Sequence, residues 1–168
     1  MSSYLGKHIG HLVHWGDTML DLCCGPCHPT MGIQCRTKVG VDLNPAVMEK
    51  AGKHCIPILA DVGKIGEMFQ PKSFDVVMWL DGIEHLEEAN ALEALGWAEK
   101  IARKRVVVFT PDEKVFFDYP DEFLRHKSFF PKKFWEDRGY ITKSFETGGA
   151  FAGRKEPIKM VLTLKKVK

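Results

Sequence analysis

No stretch of this 168-residue chain approaches the roughly 18 consecutive apolar residues that a membrane-crossing helix requires, although 45% of its residues are hydrophobic. No basic-then-apolar signal segment opens it either. Charge of one sign is equally lacking: 24 Lys and Arg against 22 Asp and Glu leave a formal net charge of +2. So even a balance does not announce nucleic acid or a membrane surface as a partner. The cysteines, five in number at 23, 24, 27, 35 and 55, make an odd and clustered set. That is unlike a secreted disulfide framework and fits free thiols in a reducing compartment, so a soluble, cytoplasmic protein is expected. Repeats, low-complexity tracts and linkers are missing too. Residues 1–168 therefore read as one domain, long enough to bury roughly 70% of the surface of its unfolded chain.

What the chain does contain is concentrated in Met19 to Asn44, MLDLCCGPCHPTMGIQCRTKVGVDLN. The apolar run Met19 to Leu22 suits a buried strand, and Gly25 with Pro26 breaks it sharply ahead of an expected short helix with unpaired first amides. Val39 to Val41 forms a second strand, and Asp42 follows the turn by roughly the twenty residues at which nucleoside-binding units place a ribose carboxylate.

Upstream, Leu5, Ile9, Leu12 and Val13 recur at helical spacing. His8, His11 and His14 lie three apart there, a spacing that fans them around a helix and favours ordinary exposed histidines over a metal site. Downstream, Asn44 caps a helix, Pro45 occupies its first position and Gly52 ends it. A third strand, Ile56 to Ala60, runs into Asp61, and a weak helix spans Ile65 to Phe69. Phe74 to Leu80 is almost wholly apolar, the mark of a strand covered on both faces. A helix from Glu87 to Arg103 and a strand from Val106 to Phe109 follow. Asp112 to Phe130 lacks periodicity and is rich in aromatic and charged residues. Segments of that kind inside compact domains are usually functional. A helix near Pro131 to Arg138 and strands at Tyr140 to Glu146 and Ile158 to Lys166 complete the chain. Alternating strands and helices predict an α/β, doubly wound, mostly parallel sheet with its ligands at the carboxyl ends of the strands.

The turn DLCCGPC resembles the D-x-G-x-G-x-G motif of class I S-adenosylmethionine-dependent methyltransferases. Asp21 and Gly25 match it, while Cys23 and Cys27 stand where the outer glycines belong. A cysteine fits there if its φ remains negative. FDVVMWLDGIEHL resembles the family's fourth-strand segment, ILADV its adenine-contacting segment, and HKSFFPKKFWEDRGY a signature near the end of small-molecule members. The resemblance implies a seven-stranded Rossmann-like sheet with an antiparallel C-terminal strand and S-adenosylmethionine as methyl donor. It places Asp21, Cys23, Cys24 and Gly25 at the methionine half of the donor. Asp42 with Leu43 falls at the ribose, Asp61 with Val62 at the adenine, and Leu80 beside the cleft. The bland alternative for Asp42 and Asp61 is helix capping.

Methyl transfer from a sulfonium asks mainly for positioning, and a base only where the acceptor must lose a proton. Asp81, Glu84 and His85, just past the fourth strand, are candidates, histidine being the side chain whose ordinary titration lies near neutrality. The competing reading is that Glu84 and His85 simply start a helix, where a carboxylate favours the positive end. His126 joins them through the family pattern. An acid-x-x-Glu-His arrangement also occurs in metal-dependent relatives that methylate RNA ends, so a divalent ion held by Asp81, Glu84, His85 and His126 is an option rather than the favoured reading. Base methylation is disfavoured, because LDGIEHL replaces the turns that such enzymes carry. A small-molecule acceptor is favoured over nucleic acid, with Phe116, Phe117 and Tyr119 as candidate pocket residues and a second subunit as a further source of specificity. Two other readings stand: a non-catalytic cofactor-binding module, and a zinc or iron-sulfur site built on Cys24-x-x-Cys27 with His28 and Cys35. Against the latter, a metal at that turn should compete with the cofactor.

Overall fold

The computed structural model describes residues 4–114, 122–146 and 157–167. Seven strands form one sheet in the order β3-β2-β1-β4-β5-β7-β6. They are β1 (Thr18–Leu22), β2 (Thr37–Asp42), β3 (Ile56–Leu59), β4 (Phe74–Leu80), β5 (Ala102–Pro111), β6 (Ile141–Glu146) and β7 (Lys159–Lys166). The first five run parallel, and β7 runs antiparallel between β5 and β6. The α/β sheet expected from the alternation is therefore present, with the antiparallel strand where the resemblance put it.

Five helices accompany the sheet among the described residues: α1 (Tyr4–Ile9), α2 (Pro45–Ala51), α3 (Ile65–Met68), α4 (Glu88–Ile101) and α5 (Lys132–Asp137). α2 begins as its sequence dictates, with the Asn44 side chain accepting from the Ala46 amide at 2.9 Å and Pro45 following. In β4 every residue is buried, because successive side chains leave opposite faces and both faces are covered. Val77 and Trp79 pack with Ala91, Leu95 and Ala98 of α4, while Val76, Met78 and Leu80 pack with Ile9 and Val13 near α1. Each fully buried large side chain contributes about 1.5–3 kcal/mol.

Two local expectations are corrected. No helix follows β1. Residues 23–36 form a string of turns in which Cys27, Thr30 and Ile33 donate backbone N–H to the carbonyls of Cys24, Cys27 and Thr30. Gly25, Pro26, Pro29 and Gly32 are poor helix formers, and the two prolines lack the amide that a longer ladder would use. The second correction lies at the end of α4, which stops at Ile101, so Arg103 belongs to β5. There Arg103 binds Asp75 at 3.0 Å, and Lys104 binds Asp17 at 2.5 Å and Asp75 at 3.2 Å. These pairs tie β5 to the starts of β1 and β4, and they require the extended backbone. Phe116, Phe117 and Tyr119 lie outside the described residues.

β1 leads outward to β2 and β3, and the chain then returns to β4 on the other side. Connections therefore diverge at the carboxyl ends of β1 and β4 and leave a crevice between them.

Candidate active site

The crevice holds a cavity of about 370 Å³ whose lining includes Cys23, Gly25, Asp42, Leu43, Asp61, Val62, Asp81 and His85. These residues come from four loops, each at the end of a parallel strand. Asp42 ends β2 and is fixed from two sides: Gly25 N donates to its Oδ2 and Asn44 N to its Oδ1, both at 2.8 Å. Each carboxylate oxygen keeps acceptor capacity for a second donor. Asp61 ends the β3 segment and accepts from Gly63 N at 2.8 Å through Oδ1. Asp61 thus caps the helical turn that follows it, whereas α2 is capped by Asn44 and not by Asp42, and both aspartates line the cavity.

The expectation of a negative φ at the substituted glycines is overturned. Cys23 has φ 51° and Cys27 has φ 60°. Each such residue costs about 1–2 kcal/mol relative to glycine. At Cys23 the thiol offers compensation, since its sulfur accepts from Nε1 of the fully buried Trp79 at 3.3 Å. The neighbouring position must then be glycine, because a Cβ on Gly82 would lie 2.6 Å from the Cβ of Cys23. Trp79 and Gly82 are supports for the turn that sequence patterning did not single out. Their contacts to Cys23 cross between strands.

Asp21, Cys24 and Leu80, also expected at the cofactor, are not among the residues that line this cavity. Asp21 is buried and accepts from Thr30 Oγ1 at 2.6 Å, and burial pushes its carboxyl up to about 7. Lys38 Nζ donates to the Thr30 carbonyl in the same buried knot. Cys24 turns its side chain toward Met48 and Ala51 of α2, and Leu80 packs on the α1 face.

A second cavity, of about 290 Å³, adjoins the first, and Lys127 lines both. Glu84 and His126 line it with Glu88, Thr110, Glu113, Lys114, Ser128 and Phe129. His126 arrives because its segment is laid over the turn Ile83–His85: Lys127 N and Ser128 N donate to the Glu84 carbonyl at 2.7 and 3.1 Å. The rings of His85 and His126 then stand 5.0 Å apart, and the ligating atoms of Glu84, His85 and His126 lie within 4.8 Å of one another. Asp81 stays on the cofactor side, outside that trio. The His85 Nδ1 sits 3.2 Å from the Arg125 carbonyl, which can only accept, so Nδ1 carries the proton and Nε2 is the basic nitrogen.

Glu84 is 2% exposed. Thr110 Oγ1 donates to its Oε2 at 3.1 Å, while Oε1 has no donor among the described residues. Burial raises its affinity for a proton well above that of an ordinary carboxyl, and the charge of the neighbouring Asp81 adds to the effect.

The cavity at the β1–β4 crevice fits the cofactor that the resemblance implies. Its lining supplies two carboxylates, Asp42 and Asp61, acceptors of the kind that a nucleoside's hydroxyls and amine require, beside the turn residues Cys23 and Gly25.

Comparison with known proteins agrees. No curated protein matches the chain by sequence. Solved structures share its fold at low identity. A SAM-dependent methyltransferase from Archaeoglobus fulgidus is 15% identical, with 96% of this chain and 92% of that one covered at a TM-score of 0.67. Magnesium protoporphyrin IX methyltransferase from Synechocystis PCC 6803, solved with bound SAH, is 13% identical, covering 95% and 82% at 0.65. The methyltransferase domain of a bacterial CtHen1 is 20% identical, covering 95% and 96% at 0.60. The family model described as "Methyltransferase domain" matches residues 20–108, more than half the chain, from within β1 through most of β5. The chain therefore belongs to the methyltransferase domain family and is a class I S-adenosylmethionine-dependent methyltransferase.

Proposed function

We propose that the protein methylates an oxygen or nitrogen of a small polar acceptor seated in the cavity bounded by Glu84, Thr110, His126 and Lys127. The observation that carries this reading is the pair of adjoining cavities that meet at His85 and His126, one lined by nucleoside-matching carboxylates and the other by mixed charges. Bound S-adenosylmethionine supplies an electrophilic methyl group on a sulfonium. The residues of this chain supply position. Asp42 accepts from the two ribose hydroxyls, Asp61 accepts from the adenine amine, and the turn at Cys23 to Gly25 sets the depth of the methionine half. His85, with Nδ1 committed to the Arg125 carbonyl, presents Nε2 as the base that takes the acceptor's proton. Lys114 and Lys127 offer ammonium groups and Glu88 and Glu113 carboxylates, a mixed lining that suits a polar acceptor.

The test is release of S-adenosylhomocysteine in the presence of phenols, catechols, hydroxy acids and amines. Turnover with at least one class, lost on adding competing product, is expected. Binding of the product with no transfer to any class would instead favour a non-catalytic module.

One observation supports a second reading of the same site. Among the described residues the buried Glu84 Oε1 has no donor, and Glu84 shares a centre with two imidazoles. Oxygen and nitrogen ligands of that kind suit a divalent cation, which would lower the pKa of an acceptor hydroxyl. RNA ends join the acceptor panel under this reading. Activity that vanishes on chelation and returns with magnesium, manganese or zinc would establish it. Activity indifferent to chelation leaves His85 as a simple base.

A further inference from the structure

We propose a second site, for one thiophilic cation of the Zn(II) type, formed by Cys24, Cys27 and Cys55 on the side of the turn facing away from the cofactor cavity. The three sulfur atoms lie within 4.8 Å of one another, with Cys27 and Cys55 at 3.3 Å. Thiolates around a single zinc at about 2.3 Å stand roughly 3.8 Å apart in a tetrahedron, so small side-chain movements close the set on an ion. Space for the sulfurs is built into the sheet. A Cβ on Gly40 of β2 would lie 2.7 Å from the Cys55 sulfur and 2.8 Å from that of Cys24, so only glycine lets both thiols sit there.

The surroundings suit such an ion. Cys24 and Cys27 are buried, while Cys55 is partly exposed and borders an open groove that also contains Cys35 and Lys38. An ion arrives from that groove, and water completes its fourth position. Each ligating thiol gives its proton to solvent. Three thiolates and a divalent ion leave one negative charge, and the buried Lys38 ammonium lies close enough to act on Cys27. Competition with the cofactor, expected from the sequence, does not arise. Cys23 lines the cofactor cavity, and the metal set uses Cys24 and Cys27, whose side chains pack on α2. Cys55 was not among the residues that sequence spacing suggested, and His28 and Cys35 fall outside the trio.

The ion would clip the turn after β1 to the segment between α2 and β3, bracing the wall that presents Gly25 and Asp42. The proposal stands apart from the identity of the methyl acceptor. To test it, the full chain is purified under reducing conditions without a histidine tag and its metal content measured. It is then stripped and titrated with Co(II). One ion per chain and a thiolate-to-cobalt charge-transfer band in the near ultraviolet are expected. Zinc should protect Cys24, Cys27 and Cys55, but not Cys35, from alkylation read by mass spectrometry. Cys55→Ser should lose the band and Cys35→Ser keep it. A wild-type protein with no charge-transfer band, or with equal alkylation of all four thiols with and without zinc, would overturn the site. So would a Cys55→Ser protein that binds cobalt as the wild type does. The protection experiment needs no variant, so a Cys55→Ser chain that fails to fold leaves the question decidable.

Discussion

Replacing Asp42 by alanine tests the cofactor cleft most directly. In the native protein each carboxylate oxygen already accepts one backbone N–H, from Gly25 or Asn44, at 2.8 Å. Each keeps acceptor capacity that, in the proposed function, takes one ribose hydroxyl. A hydrogen bond to a charged partner contributes about 1.5–3 kcal/mol, and water entering the truncated cavity offsets part of the second one. The expected loss of S-adenosylhomocysteine affinity is therefore about 1.5–3 kcal/mol, roughly 10- to 150-fold. Stability should fall by less, about 1 kcal/mol, because both freed amides border a cavity that water can enter. Asp42→Asn keeps one acceptor but turns an amide N–H toward a backbone N–H, so it should bind no better than alanine. Calorimetric titration with S-adenosylhomocysteine measures the affinity, and thermal melting by circular dichroism confirms folding. Wild-type affinity in a folded Asp42→Ala protein would refute the ribose assignment.

Cys23→Gly should bind S-adenosylhomocysteine at least as well as wild type, because glycine relieves a φ of 51° at the expense of the Trp79 contact. Gly82→Ala should destabilise the fold and weaken binding, and Cys23→Gly in the same chain should restore part of both, since the clashing Cβ is then gone. Equal melting temperatures for the single and double variants would show that the close approach is unimportant. His85→Gln should lower turnover on a hydroxyl acceptor by about 10²–10⁴-fold while S-adenosylhomocysteine affinity changes little, as steady-state kinetics and calorimetry would show. At the opposite end of the sheet, the Arg103 guanidinium holds the Asp75 carboxyl well below the usual carboxylate range. A depressed folded pKa means stabilisation that is complete above the ordinary carboxylate value near 3.9 and disappears as pH falls through the folded value. Asp75→Asn should accordingly cost about 1–2 kcal/mol at neutral pH, allowing for the partial exposure of Arg103. Urea unfolding should show the gap to wild type closing in strong acid.

The strands, the α2 cap and the positions of Asp42 and Asp61 were legible in the sequence because each depends on neighbours within a few residues. An apolar run demands burial, Asn44-Pro45 starts a helix whatever surrounds it, and a carboxylate just past a parallel strand falls at the crevice edge. The fold class followed from the order of these local features, and the family from motifs that share that order. Only the tertiary structure decided which side chains meet. Cys55 meets Cys27 across 28 residues of chain, and Cys24 beside it, through a gap that Gly40 leaves in another strand. Glu84 and His85 are adjacent in sequence, yet Glu84 lines one cavity and His85 the other, and His126 meets them because its backbone amide neighbours bind the Glu84 carbonyl. Asp21 matches the family's motif but is drawn into a buried knot with Thr30 and Lys38, partners that no spacing rule connects to it. Arg103 has helical neighbours on one side, and its ion pair with Asp75 instead commits it to β5. Local backbone preference writes the elements. Contacts between residues far apart in the chain choose the site, because their free energy exists only once the sheet has brought them together.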